Sequence, residues 1–288
     1  MLSISVVITT FNDSEYLNKS IKSVLEQTIL PTELIVVDDG SENNDAKCIV
    51  AKFSKHCDFP IRYYYKNNGG PSSARNYGVS NSTAEYIAFL DADDIWLPNN
   101  LAIKLSLMEK CKHINQFFGV YGSFVFSNTD LVQKFITLTD SIPTTNLADL
   151  VGKRNGIPGG LPSYLIKKKY FTEVGGFDEK LTINEDFDLI LRLIRAGYTA
   201  CGDSQPGFIR TMREESLTRN SNHMLTFARV NTFLIKAKEN DYFSDSELRF
   251  RRSSVAFSTA RKILSNNLFD IDGYKLFVSA LLIRCHLI

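Results

Sequence analysis

Three carboxylates stand within four residues in Asp91-Ala92-Asp93-Asp94, directly after the apolar run Tyr86–Leu90. Carboxylates this close repel each other, which raises the cost of folding unless a cation or hydrogen-bond donors compensate. Oxygen ligands suit Mg²⁺ or Mn²⁺, which usually bind through one or two carboxylates together with substrate phosphates. An acidic turn that caps a helix beginning near Pro98 explains the same residues as well. Taken alone, the segment predicts either a metal site or a helix cap.

Two further segments carry groups that could hold a nucleotide. Asp38-Asp39-Gly40-Ser41 follows the apolar run Glu33–Val37, and a carboxylate there can accept a hydrogen bond from a nucleobase N–H. An ordinary strand-to-helix turn is the alternative. Asn68–Asn76 combines a glycine turn, a helix start and the cation Arg75, which suits a diphosphate. Arg75 could equally be a solvated helix residue.

A fourth acidic segment, Asn184-Glu185-Asp186-Phe187-Asp188, stands at the start of a helical pattern. A carboxylate held there could act as a general base. The helix macrodipole alone also favours acidic residues in the first turn, so helix capping competes with catalysis as the explanation.

Alternating strand and helix patterns position these segments. Four short apolar runs rich in β-branched residues are separated by helical patterns, which predicts a mostly parallel, doubly wound sheet. Ligands bind beyond the carboxyl ends of the strands in such sheets, where both Asp38-Asp39 and Asp91–Asp94 would lie. The predicted strands are Ile4–Ile8, Glu33–Val37, Ile61–Tyr65 and Tyr86–Leu90.

The pattern changes after about residue 115. We predict a small antiparallel part, a flexible loop, a helix that begins at Asn184 and a closing strand, followed by a helical extension beyond about residue 220. The predicted strands are Phe118–Phe126, Leu131–Leu138 and Phe208–Met212, and the loop is Gly156–Gly160. The predicted class is therefore α/β, with a C-terminal helical extension.

Composition excludes several classes of protein. The 288 residues are 44% apolar, which is enough for a packed core, and 33 basic residues balance 32 acidic ones, so no overall field attracts nucleic acid. The five cysteines are scattered without zinc spacing, which predicts free thiols in a reducing compartment. The first residues lack a signal-peptide pattern, and no apolar run reaches the roughly 20 residues that cross a bilayer. We expect a cytoplasmic protein.

Six motifs occur in one order along about residues 3 to 220, and together they resemble the large family 2 of inverting glycosyltransferases, which have the GT-A fold. The motifs are Val6–Asn12, Asp38–Ser41, Asn68–Gly70 with Ala74–Gly78, Asp91–Asp94, Gly175–Glu179 and Glu185-Asp186. Relatives often have His before a Ser in the strand after the catalytic helix, whereas Arg210–Ser216 contains none. Arg213 could take over a diphosphate contact there.

The resemblance implies a nucleotide site made by four residues. Thr10 and Phe11 would line the base pocket, Asp39 would bond the uracil, and Arg75 would lie close to the nucleotide.

The resemblance also divides the remaining acidic residues by role. Asp91 would face the ribose or donor sugar, and Asp93 would bind the Mn²⁺ or Mg²⁺ that bridges the diphosphate. Asp186 would be the general base, with Glu185 as a neighbour that contacts acceptor or donor. The Gly156–Gly160 loop would shape the donor-sugar and acceptor side.

The implied enzyme is a hexosyltransferase that moves a sugar from a UDP-sugar to a saccharide acceptor by a metal-dependent single displacement with inversion. Bacterial relatives suggest a lipid-linked O-antigen or capsule intermediate as acceptor. Residues 1–220 would form the catalytic domain and 221–288 a helical region. Leu276–Ile283 predicts either a core helix or a helix at the cytoplasmic face of the inner membrane, near the basic pair Arg261-Lys262.

Two other functions remain as alternatives. A catalytically silent saccharide-binding relative predicts the loss of Asp93 or Asp186, and both are present. A sugar nucleotidyltransferase normally has a glycine-rich basic loop directly after its first strand, and Thr9–Asn12 lacks one. A dinucleotide-dependent dehydrogenase is disfavoured for the same reason.

Overall fold

The computed structural model describes residues 2–127, 133–136, 159–211 and 222–284. The chain forms two units. One comprises Met1–Lys180 with Glu185–Arg213, and the other comprises Leu181–Asn184 with Glu214–Ile288.

The described part of the first unit contains a nine-stranded sheet and six α-helices. The strands are β1 (Ile4–Thr10), β2 (Glu33–Asp38), β3 (Ile61–Tyr65), β4 (Tyr86–Asp91), β5 (Ile95–Trp96), β6 (Phe117–Ser127), β7 (Gln133–Ile136), β8 (Leu165–Lys167) and β9 (Thr199–Thr211). The helices are α1 (Ser14–Leu25), α2 (Asp45–Ser54), α3 (Pro71–Ser80), α4 (Asn100–Cys111), α5 (Lys168–Glu173) and α6 (Glu185–Arg195), with a 3₁₀ turn at Leu161–Ser163.

The parallel half of the sheet has the order β3-β2-β1-β4. Each pair in it is parallel, and almost every residue of β1, β2 and β4 is buried, which explains their continuous apolar runs. Thr10 pairs with Asp38 and Thr9 pairs with Asp91, so the three strands end at one edge. The predicted doubly wound sheet is confirmed, and its carboxyl edge carries both acidic turns.

The other half continues as β4-β8-β6-β9-β5, with β7 added to β6. The pairs β4–β8, β8–β6, β6–β7 and β9–β5 are antiparallel, while β6 and β9 are parallel. The antiparallel part predicted from sequence is therefore present. The predicted closing strand is the end of a much longer strand, β9, whose earlier residues include Gly202, Asp203 and Pro206 and do not form an apolar run. Met212 lies outside the described residues.

One prediction about the cysteines was wrong. Cys111 at the end of α4 and Cys201 in β9 form a disulfide although 90 residues separate them. Both side chains belong to the core between helices and sheet, because α4 packs on β6 and β9. Cys48 and Cys57 are free thiols, as expected, and Cys285 lies outside the described residues.

The second unit is helical, as the sequence predicts. Its described helices are α7 (His223–Glu239), α8 (Asp245–Asn266) and α9 (Ile271–Arg284). Ser244 and Glu247 form a reciprocal capping box at the start of α8. The helices α8 and α9 pack through Ala256, Ala260, Leu276 and Ala280, where small residues let the helix axes approach. None of the helices that the described residues form is long and apolar enough to span a bilayer.

Candidate active site

The turn after β2 separates two adjacent carboxylates. Asp38 is fully buried, and its oxygens accept hydrogen bonds from the backbone N–H of Ser41 at 2.8 Å and from the Tyr63 hydroxyl at 2.8 Å. These bonds make Asp38 a structural residue of the turn. The backbone N–H of Asp39 donates to the carbonyl oxygen of Thr10 at 2.9 Å, which directs the Asp39 side chain beyond the strand edge.

The Asp39 carboxylate is held by donors from the loop after β3. Lys66 Nζ lies 2.7 Å from Asp39 Oδ1, and the N–H of Gly70 donates to Oδ2 at 2.7 Å. The loop reaches this position because Gly40 has φ +90°, and a Cβ there would lie 2.7 Å from the backbone nitrogen of Asn68. Sequence reasoning missed Lys66, although a basic residue directly after a strand of the binding edge was a usable signal.

The end of β1 brings an exposed ring beside this carboxylate. Phe11 is 46% exposed, whereas Thr10 is buried and its Oγ1 has no hydrogen-bond partner among the described residues. The exposed ring suits stacking on a base, and the unused hydroxyl suits a further polar contact. The predicted base pocket of Thr10, Phe11 and Asp39 is thus brought together at one edge, while its ligand stays a prediction.

Arg75 joins the nucleotide side of the edge to the acidic start of α6. Its two terminal nitrogens lie 2.8 Å from Asp91 Oδ1 and 2.8 Å from Glu185 Oε1. The guanidinium is also 5.5 Å from the centre of the Phe177 ring. Burial opposes its charge, but Asp91 and Glu185 outweigh burial and raise the pKa of Arg75. The alternative that Arg75 is a solvated helix residue is wrong, because only 7% of it is exposed.

The turn after β4 concentrates negative charge. Asp94 is buried and accepts a hydrogen bond from the backbone N–H of Thr211 at 3.1 Å. Burial, together with the charges of Asp91 and Asp93, raises the pKa of Asp94 well above its usual range. The helix-cap interpretation is wrong for Asp94, since α4 begins after Asn99 without a side-chain cap.

These carboxylates fit a divalent cation that a substrate also helps to bind. Their mutual repulsion leaves negative charge that a cation would offset, and oxygen donors suit Mg²⁺ or Mn²⁺. Within the described part of the chain, no group of three or more His, Cys, Asp or Glu residues is arranged to hold a metal. Asp93 stays the predicted protein ligand.

The first turn of α6 contains carboxylates with different surroundings. Burial and the neighbouring Glu185 raise the pKa of Asp186 to about 6, although Arg75 acts in the opposite direction. Asp186 Oδ1 accepts a hydrogen bond from the backbone N–H of Phe187 at 2.7 Å. Asp188 is fully buried and paired with Arg192 at 2.7 Å, so it is structural. Asp186 is the carboxylate of this turn whose pKa suits proton transfer near neutral pH.

Arg210 in β9 was missed as an individual residue. It is exposed, and its charge acts to lower the pKa values of both Asp94 and Asp186, so it lies near both acidic turns. The sequence drew attention to Arg210–Ser216 only because the stretch lacks His. Arg213 and residues 156–158 of the predicted loop lie outside the described residues.

Comparisons with known proteins show the family of this chain. The model of Glycosyl transferase family 2 matches residues 5–163, more than half of the chain. This chain belongs to that family. A relative from Rickettsia conorii, described as an uncharacterized glycosyltransferase, is 31% identical over 223 residues, which cover 76% of this chain and 36% of the relative. This chain therefore spans about a third of that relative.

A second relative carries a more specific name. It is the UDP-Glc:alpha-D-GlcNAc-diphosphoundecaprenol beta-1,3-glucosyltransferase WfgD of Escherichia coli, which is 32% identical over 134 residues. The match covers 46% of this chain and 50% of WfgD.

Solved structures show the same fold. A crystal structure of residues 1–349 of TarS from S. aureus has a TM-score of 0.67 and 16% identity, covering 97% of this chain and 79% of that one. The same TarS fragment in complex with UDP-GlcNAc has a TM-score of 0.61 and 18% identity, covering 98% and 72%. The GT-A fold predicted for this family 2 member is thereby confirmed.

Proposed function

We propose that this chain is an inverting glycosyltransferase that moves a sugar from a UDP-sugar to a saccharide acceptor. The observation that carries the proposal is the position of Arg75. It is paired with Asp91 on the nucleotide side and with Glu185, the neighbour of Asp186. The buried Arg75 side chain thus links the nucleotide side of the proposed transfer site to its acceptor side. The names of WfgD and of the TarS complex, which mention UDP-Glc and UDP-GlcNAc, support a UDP-sugar donor.

The nucleotide side is proposed to bind UDP through the ends of β1, β2 and β4. Phe11 stacks on the uracil, Asp39 accepts a hydrogen bond from its N–H, and Asp91 contacts the ribose or the donor sugar. Thr10 lines the base pocket. Arg75 neutralises charge on the diphosphate as the bond to the sugar breaks.

The metal-ion part of the proposal rests on Asp93. A bound Mn²⁺ or Mg²⁺ would neutralise negative charge on the diphosphate leaving group. Asp93 would hold the ion with oxygens of the substrate, and the buried Asp94 would fix the shape of the turn through its bond to Thr211.

The acceptor side is proposed to work by a single displacement. The acceptor hydroxyl attacks the anomeric carbon on the face opposite UDP, and Asp186 takes its proton as general base. A new C–O bond forms while the electrons of the old one leave with UDP. Glu185 contacts acceptor or donor beside the base. The anomeric centre inverts, so an α-linked donor gives a β-glycoside.

The acceptor is proposed to be lipid-linked, as an O-antigen or capsule intermediate, at the cytoplasmic face of the inner membrane. The name of WfgD, which includes a diphosphoundecaprenol, supports this class. Residues 1–220 would be the catalytic domain, and 221–288 would contact the membrane peripherally. Exposed apolar side chains in the second unit support that contact, with Phe269 at 89% exposure and Ile271 at 70%.

The test compares UDP release and product formation by the wild type, Asp186→Asn and Asp188→Asn. UDP-sugars are screened with Mn²⁺ against synthetic lipid-diphosphate sugars, and NMR gives the anomeric configuration of the product. We expect an inverted product and a loss of turnover on the order of 100-fold or more in Asp186→Asn. Asp188→Asn loses the ion pair with Arg192, so its folded fraction is measured first and its turnover is compared per folded molecule.

The outcomes separate the candidate functions. Equal turnover in wild type and Asp186→Asn would remove Asp186 as the base. Retention at the anomeric carbon would contradict the single displacement. UDP binding without turnover on any acceptor would favour the silent saccharide-binding relative, and release of diphosphate from UTP and a sugar phosphate would favour the nucleotidyltransferase.

A further inference from the structure

Tyr164 is a buried tyrosine directly after the 3₁₀ turn Leu161–Ser163. The residue is fully buried, and its hydroxyl oxygen has no hydrogen-bond partner among the described residues. Removing a hydroxyl from water without giving it a partner is unfavourable, so such groups are rare in folded proteins. A phenylalanine would fill the same space without this penalty. The hydroxyl therefore calls for an explanation.

The sheet register brings Tyr164 to the face that carries the site. Its neighbour Leu165 pairs antiparallel with Ala88 in β4 and with Val120 in β6. One residue further, Tyr164 stands between Phe89 and Tyr121, and side chains directly opposite each other share a face. The rings of Tyr121 and Tyr164 are stacked, with centres 5.3 Å apart.

The same face continues to the catalytic side chains. Phe89 lies two residues before Asp91 in β4, so both side chains point to one side of the sheet. The Phe89 ring is 5.3 Å from that of Phe177, and Arg75 lies over Phe177. Tyr164 is therefore part of the aromatic layer beneath the cluster of Arg75, Asp91 and Glu185.

The negative charge of Asp186 affects the pKa of the Tyr164 phenol. Burial first, then Tyr121 and Asp186, raise the pKa of the Tyr164 phenol well above its usual range. The phenol therefore keeps its proton at neutral pH and remains a hydrogen-bond donor. Asp186, in turn, uses one oxygen to accept the N–H of Phe187, and its carboxylate accepts no other hydrogen bond from the described residues.

We propose that Tyr164 is a positioning residue whose phenol O–H donates to the carboxylate of Asp186 when that carboxylate turns toward the acceptor. The donor fixes one oxygen of Asp186 and leaves the other to receive the proton of the acceptor hydroxyl. This inference rests on the proposed glycosyl transfer, and it adds a residue that no motif in the sequence indicates. The other charged groups that act on Asp186 are Glu185, Arg75 and Arg210.

The test is the Tyr164→Phe variant, which keeps the ring and removes only the hydroxyl. We expect kcat to fall on the order of 10-fold, because a hydrogen bond to a charged group is lost. The KM for the UDP-sugar should stay unchanged, and the apparent pKa of the acidic limb of kcat should rise, because the ionised form of Asp186 has lost a donor. Tyr198→Phe is the matched control, since Tyr198 donates to Glu173 at 2.9 Å on the surface.

A double-mutant comparison separates positioning from a purely structural role. In the Asp186→Asn background, Tyr164→Phe should change the residual rate by less than twofold, as expected for residues that act as one unit. If Tyr164→Phe gains stability and keeps the wild-type kcat and pH profile, the inference is overturned while the proposed function stands. If Asp186→Asn retains wild-type turnover, the proposed base itself is wrong.

Discussion

At the residue scale, Asp186 carries a charge that its surroundings disfavour. The folded-state pKa is about 6, against an ordinary value of 3.8. The folded state therefore binds the proton more tightly than the unfolded state does, and stability falls as the pH rises from about 4 to about 6. Above that window the charge costs up to about 3 kcal/mol, as expected for a pKa difference of about two units.

Asp186→Asn should thus raise the free energy of unfolding, although the proposed role of Asp186 predicts a large loss of turnover. The gain should be about 1–3 kcal/mol at pH 7.5 and should disappear near pH 4, where the wild-type carboxyl is protonated. Urea denaturation of both proteins at the two pH values measures it. A variant less stable than the wild type at pH 7.5 would show that the charge of Asp186 is not disfavoured in the folded state.

Arg75 makes a second prediction at this scale. Its guanidinium spans two carboxylates, and a lysine ammonium cannot reproduce that forked geometry. Arg75→Lys should therefore lower the free energy of unfolding by about 1–3 kcal/mol, the value of a lost hydrogen bond to a charged group. Arg62→Lys is the control, because Arg62 makes one partly exposed ion pair with Glu33 at 3.0 Å and should change stability by less than about 1 kcal/mol. Equal losses in the two variants would contradict the bridging role.

The sequence alone predicted which segments bring charged residues to the site. It did not predict that adjacent residues in one segment have different partners and different roles. Asp38 and Asp39 are adjacent, yet Tyr63 and Ser41 occupy the first while Lys66 and Gly70 hold the second. Ser41 belongs to the same turn, but the other three partners come from a strand and a loop more than twenty residues away. The alternation of side chains along a strand predicts which residues share a face, but it does not predict what packs against that face. Tyr164 was missed for the same reason.

At the scale of the elements, β6 and β8 meet at a glycine. A Cβ on Gly119 would collide with the carbonyl oxygen of Leu165, which is backbone and cannot rotate away. Gly119→Ala should lower the free energy of unfolding by about 2–3 kcal/mol, because β8 must shift. Gly122→Ala in the same strand should be tolerated better, since its nearest atom would be Gln205 O at 3.4 Å. Comparable melting temperatures for the two variants would contradict the close approach.

Helix α4 holds a buried lysine that has no carboxylate partner in the described part of the chain. Lys104 bonds to Asn100, lies 5.5 Å from the centre of the Trp96 ring, and burial lowers its pKa to about 7. The unfolded chain keeps this proton up to about pH 10, so the wild-type protein should gain stability as the pH rises from 7 to 9. Lys104→Met should be more stable at pH 7 and should gain less over that range. Parallel pH dependences in the two proteins would rule out neutral Lys104 in the folded state.

The elements that sequence patterns predicted well are those whose burial is continuous. The strands β1, β2 and β4 are apolar runs because both of their faces are covered. The strands β5 and β8 have only two and three residues, and they exist because β9, β4 and β6 offer backbone partners. Pairing of this kind leaves no periodic pattern in the strand itself, so a short strand cannot be predicted from its own residues.

At the scale of the whole molecule, the second unit has an apolar helix with two different faces. The buried face of α9 is Gly273, Leu276 and Ala280, which pack toward α8. The opposite face is also apolar but exposed, and its members recur at helical spacing: Ile271, Tyr274, Val278 and Leu281. The sequence left the core and membrane interpretations of this segment open, and the two faces of α9 account for both patterns. The residues Arg261, Lys262 and Lys275 are exposed nearby in the same helix pair.

The proposed membrane contact predicts that this exposed face, and not exposed apolar residues in general, binds anionic lipid. Replacing Ile271, Val278 and Leu281 by serine should reduce co-sedimentation with vesicles that contain phosphatidylglycerol by at least about tenfold, because each buried apolar side chain contributes about 1.5–3 kcal/mol. Ile235→Ser in α7 is the matched control, since Ile235 is 52% exposed and lies outside that face.

Binding should also weaken with salt, since the basic residues contribute through screened attraction. A triple variant that is folded and still binds as the wild type does would exclude this face from the membrane contact. Loss of a dimer in light scattering, without any change in vesicle binding, would assign the face to a second copy of the chain instead.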